Sequence, residues 1–169
     1  MQRIEGWNAA VFLAINADAT SPPLLLSVAR LLAETAPLIV AVALVVLWVR
    51  KKRLSRFYLL DATLTALVGL IVAQVIAHLW YHPRPFELGL GHQFMPHAPE
   101  ASFPSDHATL LFGVAIPLLF ATSTRAAGLI FAGIAVGTAW ARVFLGVHFP
   151  LDMVGSLVVA STTALVVFT

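Results

Sequence analysis

The sequence contains no cysteine, which removes both a disulfide framework and a thiolate nucleophile and leaves its compartment open. Charge is nearly as scarce: 11% of the 169 residues are Asp, Glu, Lys or Arg, where a soluble domain carries roughly 25%. Lysine occurs only at Lys51 and Lys52. Against these absences stand a hydrophobic content of 60% and a mean hydropathy of +0.92. One membrane-embedded helical domain, residues 1–169, is the class this composition allows. The pI near 9.5 does not point to nucleic acid, because the basic residues form no spread face. Five of the ten, Arg50, Lys51, Lys52, Arg53 and Arg56, share one short stretch between apolar segments. That is the mark of a cytoplasmic loop. The opening "MQRIEGWNAAVFLAINADAT" has an early acidic residue and no apolar core before a cleavage site, so no cleavable signal peptide is expected.

A spanning helix needs about 20 mostly apolar residues. Four stretches qualify, 57–81, 105–121, 126–145 and 151–169, and the segment from Pro22 to Val49 reads as one long tilted crossing bent at Pro37. Residues 1–20 read as a surface helix, with Trp7, Phe12 and Ile15 among polar positions. The expectation is therefore an all-α polytopic bundle of five crossings, or six if the first helix dips in. Trp7, Trp48, Trp80, Tyr81 and Trp140 fall near segment ends as an aromatic belt. With residues 50–56 inside, three polar islands, "YHPRPFE", "FPSDHAT" and "ARVFLGVHFPLD", gather on the outer face.

In the third island, His148 and Asp152 are four apart, and Pro150 suits the first turn of a helix. A carboxylate there can hold one imidazole nitrogen and leave the other free to attack. Arg142 brings a planar cation suited to phosphate oxygens. In the second island Ser105 is a good N-cap, placing Asp106 and His107 in the first turn of a helix whose N-terminus attracts anions. His107 can then protonate a departing oxygen. Arg84, between Pro83 and Pro85, supplies a second guanidinium. Two arginines, a helix N-terminus and two histidines describe phosphoryl transfer resting on positioning and charge, with no metal and no other cofactor expected.

These residues resemble the type-2 phosphatidic acid phosphatase superfamily, whose blocks are Lys-x6-Arg-Pro, Pro-Ser-Gly-His and Ser-Arg-x5-His-x3-Asp. Arg84-Pro85 matches the end of the first block; Pro104, Ser105 and His107 match the second; Arg142, His148 and Asp152 match the third. The match spans roughly residues 57–160 and implies a haloperoxidase-like helical core. It also implies a phosphohistidine at His148 oriented by Asp152, His107 as the acid, and Arg84, Arg142 and Ser105 on the phosphate. Three positions depart: Ala77 stands for the lysine, Asp106 for the glycine and Ala141 for the serine. The patterns "SFPSDHAT" and "YHPRPF" are similar to the bacitracin-resistance branch, the undecaprenyl pyrophosphate phosphatases. That branch implies a bacterial inner-membrane enzyme acting at the outer face on a polyprenyl or other phospholipid phosphate.

Rival readings remain at this level. A phosphatidic acid or phosphatidylglycerophosphate phosphatase would share the same blocks, and a non-catalytic lipid-binding or transport protein would explain the absent lysine. Arg30 and Glu34, four apart, read either as an ion pair or as part of a substrate pocket, and His82 is a further pocket candidate. His78 and His82 also share helical spacing, with His92, His97, Glu87 and Glu100 nearby, which raises a weaker zinc reading.

Overall fold

In the computed structural model, residues 2–50 and 53–168 are described; Met1, Lys51, Lys52 and Thr169 lie outside them. Among these described residues six α-helices follow in chain order: α1 (Gln2–Ile15), α2 (Pro23–Arg50), α3 (Arg53–Leu79), α4 (Asp106–Leu119), α5 (Arg125–Phe144) and α6 (Pro150–Val167). A single 3-10 turn, Pro85–Leu88, interrupts the long connection between α3 and α4. The all-α class expected from composition holds.

Helices α2, α3, α5 and α6 are each long and apolar enough to cross a bilayer. Helix α4 has 14 residues, about 21 Å at 1.5 Å per residue, against a hydrocarbon thickness of about 30 Å. It is shorter than the 105–121 span expected because Pro117 removes one backbone donor and the chain tightens at Phe120 N to Pro117 O, 3.2 Å. Its length is tolerated because other helices surround it: Ala108, Leu111, Val114, Ala115 and Leu118 are all buried. Helix α2 runs continuously through Pro37 over 28 residues, about 42 Å, long enough to demand tilt or protrusion.

Small residues bring the helices together. Ala62, Ala66 and Ala73 are buried on α3, and a Cβ at Gly113 of α4 would stand 2.8 Å from Ala66 Cα. Close approach of this kind replaces the hydrophobic drive that lipid does not supply. Outward faces stay apolar, as at Leu38, Val45, Ile71 and Val166, which suits contact with lipid tails.

Helix α1 meets the α5–α6 end of the bundle. Phe12 is fully buried and packs edge-on against Phe149 at 5.4 Å, and Leu151 N donates to Asn8 Oδ1 at 3.1 Å. Trp7, Ile4 and Leu13 remain exposed. Asn16 then ties three segments, donating to the carbonyls of His92 (2.9 Å) and Phe144 (3.0 Å) and accepting from His92 N (2.7 Å). Helix direction sets the rest: the ends of α3 and α5 and the starts of α4 and α6 share one end of the bundle. The described cations Arg50, Arg56 and Arg125 lie at the other.

Candidate active site

Helix α5 ends at Phe144, and Gly146 turns the chain with φ +82 before α6 begins at Pro150. A Cβ at Gly146 would also run into the carbonyl oxygen of His92, so only glycine fits both demands. This turn delivers His148, 2% exposed, to the junction of three segments. Phe149 occupies the N-cap position of α6, and Asp152, three residues on, accepts the Phe149 N–H at 2.7 Å. The same oxygen, Oδ2, accepts from Ser102 Oγ at 2.5 Å and lies 3.2 Å from His148 Nδ1. Three donors on one oxygen suit a carboxylate.

The other imidazole nitrogen faces two cations. His148 Nε2 lies 3.1 Å from Arg84 Nη1 and 3.3 Å from Arg142 Nη2. A guanidinium only donates, so Nε2 is assigned as the acceptor and Nδ1 carries the proton. Burial first, then Arg142 and Arg84, hold the His148 pKa well below its ordinary value, so the ring is neutral near pH 7. A lone pair thus sits between two positive groups, oriented from behind by a carboxylate.

Arg84 is fixed by backbone carbonyls: Nη1 donates to Val147 O (2.9 Å), Nε to Glu100 O (3.0 Å) and Nη2 to Ala101 O (3.3 Å). Its own N–H donates to Glu87 Oε2 at 2.8 Å, and Glu87 also accepts from the Tyr81 hydroxyl. No carboxylate lies within ion-pair distance of Arg84 or Arg142 among the described residues. Both charges are therefore left for an incoming anion. They open on a cavity of about 570 Å³ whose lining includes Gln74, Ala77, His78, Asp106 and His107. Gln74 and His78 also line a separate apolar hollow of about 550 Å³ along α3, with Leu70, Ile71, Val75 and Leu79.

The PAP2 superfamily matches residues 58–169, well over half of the chain. The chain belongs to the PAP2 superfamily. Among relatives of this chain, a putative undecaprenyl-diphosphatase of Escherichia coli (strain K12), YbjG, is 37% identical over 91% of this chain and 77% of its own length. Undecaprenyl-diphosphatase BcrC of Bacillus subtilis (strain 168) is 34% identical over 90% of this chain and 78% of its own. The crystal structure of Aquifex aeolicus LpxE has the same fold, with a TM-score of 0.78 and 20% identity over 96% of this chain and 94% of that one. The expectation of a multi-pass membrane lipid phosphatase stands with PAP2 membership.

Within this PAP2 chain the residues singled out from sequence do not all reach the cavity. Arg84, Asp106, His107, Arg142 and His148 line it, and Asp152 stands behind His148. Ser105 is at the N-cap of α4 yet makes no capping bond; its buried Oγ has no partner among the described residues. Asp106 accepts from Gln74 Nε2 at 2.8 Å. The PAP2 lysine position, Ala77, does line the cavity, flanked by Gln74 and His78.

Arg30, Glu34 and His82 are not part of that lining. Arg30 Nε donates to Phe94 O at 3.0 Å, and among the described residues it forms no ion pair with the exposed Glu34. His82 lies beyond the end of α3 at Leu79, so helical spacing does not relate it to His78; it faces Glu5 Oε2 (3.6 Å) and Asp152 Oδ1 (4.0 Å). Among the described residues no three His, Asp or Glu side chains converge as metal ligands. Ser102, which sequence reasoning passed over, touches the site through Asp152, and His97, named from sequence only in the zinc reading, touches it through Arg142.

Proposed function

We propose that this protein hydrolyses a polyprenyl diphosphate, undecaprenyl diphosphate above all, to the lipid monophosphate and inorganic phosphate. The observation that carries the reading is the His148 Nε2 lone pair held between Arg84 and Arg142 while Asp152 accepts a hydrogen bond from Nδ1–H. Nε2 attacks the terminal phosphorus, an N–P bond forms, and the bond to the bridging oxygen breaks. His107 delivers a proton to the departing lipid phosphate. The resulting phosphoimidazolium keeps its Nδ1 proton, which stays hydrogen-bonded to Asp152. Water then attacks the same phosphorus, His107 takes the water proton, and the N–P bond breaks to release phosphate. The two guanidiniums and the Ser105 hydroxyl receive the charge that builds on the phosphoryl oxygens.

The lipid part of the reading is supported by the apolar hollow on α3 that shares Gln74 and His78 with the polar cavity. The diphosphate part is supported by the names of the E. coli and B. subtilis relatives. An outer-face site is supported by Arg50, Arg56 and Arg125 lying at the opposite end of the bundle, since cationic loops stay cytoplasmic. An inner-membrane enzyme of this activity and orientation recycles a cell-wall lipid carrier and raises resistance to bacitracin. Purified protein, given a panel of lipid diphosphates, phosphatidic acid and phosphatidylglycerophosphate, is expected to release phosphate fastest from the polyprenyl diphosphate. A preference for a monoester by tenfold or more refutes the substrate assignment, and no release from any member refutes the enzyme.

A further inference from the structure

His97 sits on the irregular segment before α4, half-buried at the cavity wall, and its two ring nitrogens have assignable roles. Nδ1 lies 3.1 Å from Ala98 O, an acceptor, so Nδ1 carries the proton. Nε2 lies 3.0 Å from Arg142 Nη2, a donor, so Nε2 is unprotonated and accepts. Arg142 Nη2 also points at His148 Nε2, 3.3 Å away. The two hydrogens of one guanidinium nitrogen are thus shared between two imidazoles whose rings meet edge-on at 6.2 Å. Arg142 Nε is buried without a partner, and no carboxylate lies within ion-pair reach of Arg142 among the described residues.

We infer that His97 is a positioning residue for phosphate recognition: it fixes the Arg142 guanidinium beside the His148 nucleophile through a neutral acceptor, leaving the full cationic charge for the phosphoryl group. The inference rests on the phosphatase reading above and adds to it a residue that lies outside its three sequence blocks. The chemistry explains the residue type. A carboxylate at this place would hold Arg142 more strongly but cancel its charge and repel the substrate. A hydroxyl would be too short to hold it from the same backbone position. A neutral imidazole, anchored by Ala98 O at its far edge, orients without neutralising.

A charge-state consequence follows. His97 is faced by Arg142 from α5, Arg84 from the segment after α3, His148 from the α5–α6 turn, His107 from α4 and Glu100 from its own loop. Burial lowers its pKa, the bond to Ala98 opposes this, and Arg84 and Arg142 lower it further. Protonation of Nε2 at acid pH removes the acceptor and sets a third positive charge against Arg142, so turnover falls on the acid side as His97 gains its proton.

The test compares wild type with His97→Ala, His97→Gln and His97→Glu. Phosphate release from a polyprenyl diphosphate is measured across pH, and orthovanadate binding is followed by thermal shift. His97→Ala is expected to lose about tenfold to hundredfold in kcat/KM, as small misplacements of catalytic groups do, and to need more vanadate for the same shift. His97→Gln, whose amide oxygen reaches Arg142 without titrating, should recover most of the loss and retain activity further into acid. His97→Glu should bind vanadate more weakly than either. Wild-type kinetics and vanadate binding in His97→Ala, or no recovery in a folded His97→Gln, overturn the inference. If the wild type releases no phosphate, the functional reading fails instead, and vanadate binding alone still decides the role of His97.

Discussion

Removing one hydroxyl should reveal how strictly His148, the proposed nucleophile, is held. Ser102 is wholly buried, and its Oγ donates to Asp152 Oδ2 at 2.5 Å while lying 3.4 Å from His148 Nδ1. Ser102→Ala takes one of three donors from an oxygen that is 0% exposed at the residue level, so no water replaces it. A hydrogen bond to a charged group contributes about 1.5–3 kcal/mol. If the whole of that loss falls on the transition state, kcat/KM drops about tenfold to 150-fold, since about 1.4 kcal/mol is a factor of ten. Phe149 N and His148 Nδ1 still bond Asp152, so the loss stays short of abolition. Phosphate release by the purified variant in detergent, with helicity and elution volume checked against wild type, reads the effect. A folded Ser102→Ala protein with turnover within twofold of wild type refutes the idea that this hydroxyl helps hold the Asp152–His148 pair.

Other perturbations test neighbouring steps. Asp106 lines the proposed phosphate cavity with a negative charge, so Asp106→Asn should bind inorganic phosphate several-fold more tightly, read as product inhibition; weaker inhibition contradicts this. Gly146→Ala meets both the positive φ and the His92 carbonyl, so a lower melting temperature and lost turnover are expected, and an unchanged melting curve contradicts the close approach. Stability should also depend on pH. His148 and His97 hold protons less tightly in the fold than the ordinary 6.5 of the unfolded chain. Below about pH 6.5 the unfolded chain therefore binds more protons, and folding stability from these groups, complete above that value, declines as pH falls. A melting temperature that rises from pH 7 to pH 5 argues against buried neutral imidazoles.

Much of this arrangement was legible because it obeys local rules. His148, Pro150 and Asp152 announce a helix start with a carboxylate one turn from an imidazole, and the structure places them so. Apolar runs revealed α2, α3, α5 and α6, since spanning length is a property of composition. Ser102 and His97 were not legible in this way. They lie on an irregular segment with no period, and their partners, Asp152 and Arg142, are 50 and 45 residues away in sequence. The same segment explains the misplaced pocket residues: Arg30 turns to a backbone carbonyl at Phe94, which no side-chain spacing reveals. His82 stands past the last turn of α3, where the four-residue rule no longer applies. Ser105 occupies the expected cap position, but its hydroxyl has no partner among the described residues, so the cap position alone does not foretell where that hydroxyl bonds.

The most direct test is to find where the phosphoryl group goes. Wild-type protein mixed with polyprenyl diphosphate labelled in the terminal phosphate, quenched in base during turnover and mapped by peptide, should carry label on Nε2 of His148. His148→Ala should carry none and release no phosphate. Label on any other residue, or steady turnover by His148→Ala, contradicts the account.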